Sequence, residues 1–303
     1  MRHLRRVYLW LALFFVLYMF WKHSSDVKSA LQYLQAMPVN IVIGGLVLAV
    51  FSYNLRALRW LQYMHLKQNS ASIKYHILIY FSGFAFTATP GKAGELVRGT
   101  YLADIGIPFR YTFCAFVSER LLDVIAVSLL GTYFLTRHYS VFFASITVSI
   151  VCFLFLAPFI LEFAMRIIKR RTLLDITTTI KMLWIFNVVV KNTFYSLLCW
   201  SSQGIILYLV LIELDADISA GMAISIYCLS LLFGAVSLIP SGIGVTEIGM
   251  VWLLMQNGVD QDVAVVSSLI ARMMTLWPAM SLGLVSALTL KVMKIKSVSE
   301  IIR

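Results

Sequence analysis

Charge is what this sequence has least of. Only 13% of its 303 residues are Asp, Glu, Lys or Arg, where a soluble domain carries about 25%. So little charge cannot cover a soluble surface. With 60% apolar residues and a mean hydropathy of +0.87, the chain reads as an all-α polytopic membrane protein. Acid is scarcer than base, 14 residues against 25, leaving a net charge of +11. That excess need not mean nucleic acid, because basic residues cluster at the ends of apolar runs, as on the cytoplasmic side of membrane proteins. Cys114, Cys152, Cys199 and Cys228 lie inside apolar runs without C-x-x-C spacing, so free thiols used for packing are expected. The five histidines are scattered without metal-site spacing, and no metal or cofactor is expected. No A-x-A cleavage site follows the first apolar run, so a retained helix is expected there instead of a signal peptide.

Long apolar runs, by contrast, are plentiful. Full spans are expected near 7–21, 39–55, 111–136, 141–161, 192–212 and 263–290, about six in all. Runs 75–89 and 219–239 differ, since each ends in proline and glycine followed by an acid. Charge parity decides their fate. Arg2, Arg5 and Arg6, then Arg56, Arg59, Lys67 and Lys74, then Arg166, Lys169, Arg170 and Arg171, and finally Lys291, Lys294, Lys296 and Arg303 all favour the cytoplasm. Glu213, Asp215 and Asp217 suit the outer face. The crossings agree with these sides if one run in each half enters and returns, and 75–89 and 219–239 are the obvious choices. The first would enter from the cytoplasm, turning at Pro90, Gly91 and Gly94. The second would enter from outside, turning at Pro240, Gly242 and Gly244. Both termini are then cytoplasmic. Segment 166–191 reads as an amphipathic interfacial stretch.

The two returning segments share a spacing. Gly106 follows Glu95 by eleven residues, as Gly258 follows Glu247; Arg120 follows Glu95 by 25, as Arg272 follows Glu247. With opposite entry sides, this describes an inverted repeat inside one domain over 1–303, with units near 75–136 and 219–290.

These stretches, FTATPGKAGELVRGTYLADIGIPFRYTFCAFVSERLLDVIAVSLL and SLIPSGIGVTEIGMVWLLMQNGVDQDVAVVSSLIARMMTLW, resemble the flippase-like transmembrane family that includes the membrane portion of lysylphosphatidylglycerol synthases. The shared pattern is T-P-x-K-x-G-E, E-R-x-x-D, P-x-G-I-G-x-x-E and a lone arginine. The resemblance implies a lipid-handling protein of a prokaryotic inner membrane, acting on aminoacylated phospholipids, hopanoids or polyprenyl-linked lipids. Those synthases carry a soluble aminoacyl-transferase domain after the membrane part. This sequence ends at Arg303 after a short basic tail, so that transferase activity is not expected of it.

Each candidate site residue has a structural alternative. Arg272, alone in an apolar helix, needs an anion, either Glu247 or a lipid phosphate. Arg120 sits between Glu119 and Asp123 and can pair with Asp123 along the helix, or face a cavity opposite Arg272. Glu95 and Glu247 head the return limbs, where a helix dipole or a proton-coupling role would explain them. Lys92 and Arg98 flank Glu95 and can meet a headgroup, helped by the N–H groups of Gly91, Ala93 and Gly94. The stretch is not a P-loop, as Ala93 follows Lys92.

We therefore read the chain as a translocator of an anionic phospholipid or lipid-linked phosphate, with the bilayer and the lipid headgroup as partners and a homo-oligomer or lipid-modifying enzyme as a further one. The rival is a membrane enzyme on a polyprenyl-phosphate- or phospholipid-linked intermediate, or a non-catalytic subunit serving one. No nucleophile–base pair favours an enzyme, and Glu119 with Asp123 is a weak metal signal.

Overall fold

An apolar run within a bilayer has no water for its N–H and C=O groups, so it closes those bonds internally as a helix. The computed structural model describes residues 31–67, 71–87, 89–168, 171–237 and 239–301, and every regular element among them is helical. In chain order these are α1 (Val39–Leu66), α2 (Ile73–Ser82), α3 (Arg98–Asp104), α4 (Phe109–His138) and α5 (Val141–Ile168). Then come α6 (Arg171–Leu183), α7 (Phe186–Glu213), α8 (Ala220–Val236), α9 (Val245–Met255) and α10 (Gln261–Ile301). Short 3₁₀ segments, Gly83–Phe86, Pro90–Val97 and Pro240–Gly242, link α2 to α3 and α8 to α9.

Among the described residues four helices, α1, α5, α7 and α10, are long and apolar enough to cross a membrane. The expected span 111–136 lies within α4, whose 30 residues measure about 45 Å but include Glu119, Arg120 and Asp123. The expected span 7–21 falls outside the described residues.

The other two runs form helical hairpins. Ser72 and Ser219 cap their first limbs, accepting hydrogen bonds from the N–H groups of Tyr75 and Met222. Pro90 and Pro240 each stand at the start of the 3₁₀ turn that ends the limb. The 17 residues of α8 reach about 26 Å, and the 11 of α9 about 17 Å, against a hydrocarbon core of about 30 Å. Each limb alone is shorter than that core. The limbs fold back on each other, α8 on α9 and Gly83–Phe86 on Pro90–Val97. Small residues permit this: a Cβ on Gly94 would strike the backbone of Phe86, and one on Gly234 would strike Thr246. After each hairpin a glycine at positive φ, Gly106 at 81° and Gly258 at 80°, turns the chain into the next long helix.

Packing between the halves is reciprocal. The first hairpin's α2 and Gly83–Phe86 lie on α10, while α8 of the second hairpin lies on α4. Helices α1 and α7, which precede the hairpins, pack on each other, and the tips meet, Pro90–Val97 against Pro240–Gly242. Two apolar clusters result. One joins α1, α2 and α10 around Tyr53, Trp60, Tyr80 and Phe84; the other joins α4, α7, α8 and α9 around Phe134, Leu207, Tyr227 and Met250. Gly283 of α10 lies against the backbone of Phe84 and Ala85. Gly283→Ala puts its methyl into main chain that no rotamer change can move, so we expect a loss of about 1–3 kcal/mol. A thermal midpoint in detergent equal to that of the parent would rule out this close approach.

The structure corrects two expectations here. The basic cluster after run 39–55 puts Arg56 and Arg59 at the cytoplasmic side, yet α1 continues to Leu66 and both side chains are buried on its inner stripe. Lys67 and Lys74 alone remain exposed for the positive-inside argument at that point. Segment 166–191, expected as one interfacial stretch, is divided between the end of α5, all of α6 and the start of α7. Lys181 of α6 pairs with the buried Glu162 of α5 at 2.7 Å, so α6 is fastened to the helix before it.

Candidate functional site: a charged cavity where the hairpin tips meet

Helix α1 buries Ala49, Ser52, Tyr53, Arg56, Arg59, Trp60 and Tyr63, a stripe at helical spacing that turns two arginines inward. Helix α4 turns Glu119 and Asp123, one turn apart, towards them. Arg59 Nη1 donates to Asp123 Oδ1 at 2.6 Å and also to Ser196 Oγ. Trp200 Nε1 donates to the same Asp123 oxygen at 3.0 Å, and Arg120 Nη2 stands 3.3 Å from its other oxygen. Arg98, 1% exposed, donates to Glu119 at 2.8 Å, and its guanidinium lies 4.0 Å from the Trp60 ring centre and 5.1 Å from that of Tyr80.

The 25-residue spacing seen in the sequence has a physical counterpart. In the first unit Arg120 Nη2 lies 3.8 Å from Glu95; in the second, Arg272 Nε donates to Glu247 at 2.8 Å. Each hairpin acid thus faces the arginine of the following long helix. Their surroundings differ. Glu247 sits in the first turn of α9 and accepts from Gly244 N–H at 2.6 Å, half of a capping box, where the helix dipole also favours it. Glu95 does not head an α-helix. Its limb stays 3₁₀ until Val97, and Glu95 is held by the Thr87 hydroxyl at 3.0 Å. The dipole explanation therefore fails for Glu95.

A cavity of 260 Å³ opens where the tips meet. Thr87, Thr89 and Lys92 come from the first tip, and Ser241, Gly242 and Thr246 from the second, with Arg120, Asp123, Trp200 and Arg272 closing the polar wall. Val124, Val127, Leu231, Leu232 and Leu276 make the apolar side. Ser241 Oγ donates to the Thr87 carbonyl at 3.1 Å, tying tip to tip, and Arg272 Nη2 donates to the Ser241 carbonyl at 2.9 Å. Lys92 and Ser241 hold positive φ, 56° and 54°, conformations that side chains other than glycine's seldom adopt and that cluster at working sites.

Among the expected site residues, the cavity wall brings together Lys92, Arg120, Asp123, Arg272 and Gly242. Arg98 and Glu119 sit deeper as a closed pair and are not on the wall. Glu95 and Glu247 stand behind the arginines. Pro90 and Gly91 belong to the first turn; Gly94 N–H is taken by Thr89 Oγ1 at 2.7 Å and is not offered to a ligand. Gly244 caps α9. Glu119 and Asp123 turn their carboxylates to Arg98 and Arg59. Sequence reasoning missed Arg56, Arg59 and Trp200. The signal was present: Ser52, Arg56, Arg59 and Tyr63 recur every three or four residues, which a loop does not require.

The lysylphosphatidylglycerol synthase TM region is the family whose sequence model matches this chain, over residues 7–283. A UPF0104 membrane protein of Pyrococcus horikoshii is 21% identical over 300 residues, covering 86% of this chain and 90% of the relative. Two UPF0104 membrane proteins of Methanothermobacter thermautotrophicus are 27% identical over 97 residues and 33% identical over 88 residues. Those stretches span only 29% and 26% of the respective relative's length. The apolar helices and the match across both hairpins agree: this is an integral membrane protein, and it belongs to the lysylphosphatidylglycerol synthase TM-region family.

Proposed function

We propose that this protein moves an anionic phospholipid or a lipid-linked phosphate across the cytoplasmic membrane. One observation carries this: two helical hairpins, each with limbs too short to cross, meet tip to tip at a cavity that both Arg120 and Arg272 line. Buried arginine in a bilayer costs about 2.5–3.5 kcal/mol on insertion scales and is kept where it meets an anion or a pathway. Here each arginine already has an acid partner, which can hold it while the cavity is empty of headgroup and share it when one arrives. The headgroup would rest against Lys92, Arg120 and Arg272, with its chains leaving along Val124, Val127 and Leu231 towards the bilayer. Broken backbone at such depth is tolerated where it lines a polar cavity, as the two tips do.

In this proposal the hairpins enter from opposite faces, the first from the cytoplasm, with both termini cytoplasmic. Contact between tips, with the first limbs spread onto α10 and α4, supports opposite entry. The rocking of one repeat against the other would expose the cavity to each leaflet in turn.

The test is mass spectrometry of the lipids retained by the purified protein, compared with Arg272→Gln. We expect one anionic lipid enriched over the bulk membrane in the parent and reduced about tenfold in the variant, the loss of one charge-assisted contact. Bulk composition in both, from a variant that still folds, would reduce Arg272 to a structural partner of Glu247 and sink the headgroup site.

A further inference from the structure

The charges around the cavity do not cancel. Six basic side chains, Arg56, Arg59, Lys92, Arg98, Arg120 and Arg272, gather with four carboxylates, Glu95, Glu119, Asp123 and Glu247, which leaves two basic groups in excess. The excess can be assigned. Arg59, Arg98, Arg120 and Arg272 each have a carboxylate within ion-pair reach. Arg56 and Lys92 have none among the described residues.

Arg56 is the more unusual of the two. It is 5% exposed, its Nε and Nη2 make no hydrogen bond, and its guanidinium rests over two rings, Phe84 at 5.0 Å and Trp200 at 5.6 Å. Those rings belong to the two different apolar clusters, so Arg56 stands at their seam, beside the Trp200 ring and not on the cavity wall, where it acts on an occupant through its charge alone. Lys92 Nζ lies over the same Trp200 ring at 5.7 Å, and both Lys92 and Trp200 line the cavity. Ring faces compensate a cation only in part, and a buried charge without a counter-charge is costly. An anionic occupant of the cavity removes that cost.

We infer that the occupant is doubly negative: a lipid whose headgroup ends in a phosphomonoester or a terminal diphosphate, its charge matched to Arg56 and Lys92. A phosphomonoester carries about −1.5 to −2 near neutrality, with a second pKa of about 6, and neighbouring cations favour the full charge. A phosphodiester such as phosphatidylglycerol supplies one charge and leaves one cation unmatched. A lysylated phosphatidylglycerol, with two ammonium groups against one phosphate charge, adds cation to a site already rich in it. The volume agrees with a headgroup alone: 260 Å³ is below the roughly 300–1,000 Å³ of pockets that enclose whole small molecules, so the chains remain outside. This inference rests on the translocator proposal only for the claim that the ligand is a lipid; the charge count stands apart from transport.

The test titrates the detergent-solubilised full chain with three lipids of identical acyl chains at pH 8, read by native mass spectrometry. The lipids are phosphatidic acid, phosphatidylglycerol and lysyl-phosphatidylglycerol, with inorganic phosphate as competitor. We expect phosphatidic acid to bind about tenfold more tightly than phosphatidylglycerol and lysyl-phosphatidylglycerol to bind weakest, one charge interaction separating each step. Lys92→Gln and Arg56→Gln should each erase most of the preference for phosphatidic acid, and Arg56→Lys should restore part of it. If Arg56→Gln fails to fold, the Lys92→Gln ratio alone decides. Equal binding of the three lipids, or a preference unchanged in a folded Lys92→Gln protein, overturns the inference. Displacement by inorganic phosphate at the lipid's own concentration also overturns it, since the site would then take a free anion. Transbilayer movement in proteoliposomes is read separately. Movement of phosphatidylglycerol without phosphatidic acid preference defeats the dianion and spares translocation; selective binding without movement does the reverse.

Discussion

Asp123→Asn should be among the most damaging single substitutions in this protein, costing about 3–5 kcal/mol. Asp123 receives two donors from other helices, Arg59 of α1 at 2.6 Å and Trp200 of α7 at 3.0 Å, and forms an ion pair at 3.3 Å with Arg120 of its own α4. Asparagine keeps the shape and an acceptor oxygen but loses the charge, which leaves Arg59 at 1% exposure without its counter-charge. We expect the thermal midpoint in detergent to fall by about 10 °C at the conversion typical of larger domains. Removing the stranded charge as well, in Arg59→Met with Asp123→Asn, should recover part of the loss, because a buried cation without a partner is worse than none. A single variant as stable as the parent would show that Asp123 is not the anchor of the α1–α4–α7 seam.

The second large effect concerns motion. If headgroups pass where the tips meet, the tips have to part. Cysteines at Thr87 and Ser241, in a chain whose own Cys114, Cys152, Cys199 and Cys228 have been replaced, should cross-link readily, since Ser241 Oγ already reaches the Thr87 carbonyl. In proteoliposomes the cross-linked protein should lose nearly all transbilayer lipid movement, and a reductant should restore it. Full activity in a fully cross-linked sample would mean that lipid takes a route that leaves the tips joined.

Much of the architecture was legible in the sequence, for local reasons. Apolar runs of spanning length report helices because the bilayer demands internal hydrogen bonds. Pro90 and Pro240, each followed by glycines, report turns because proline ends a limb and glycine permits its return. The equal spacing of Glu95 to Arg120 and Glu247 to Arg272 was visible as a pattern before either pair had a distance. Where local reasoning misled, it was over charge. Arg56 and Arg59 carry the same signature as a cytoplasmic anchor, and only the inward stripe of α1, read together with what faces it, distinguishes the two.

What the sequence determined alone, then, is the solvent this protein lives in, its helical construction, the place of its two hairpins and its family. Those follow from composition, turn chemistry and motif order along the chain. Only the tertiary structure decided which acid answers which arginine, because Arg59 finds Asp123 and Arg98 finds Glu119 across separate helices. It also decided that Arg120 and Arg272, from opposite halves, share one cavity wall, and that Arg56 and Lys92 have no carboxylate within ion-pair reach among the described residues. A charge is written into the sequence, but its partner is set by packing.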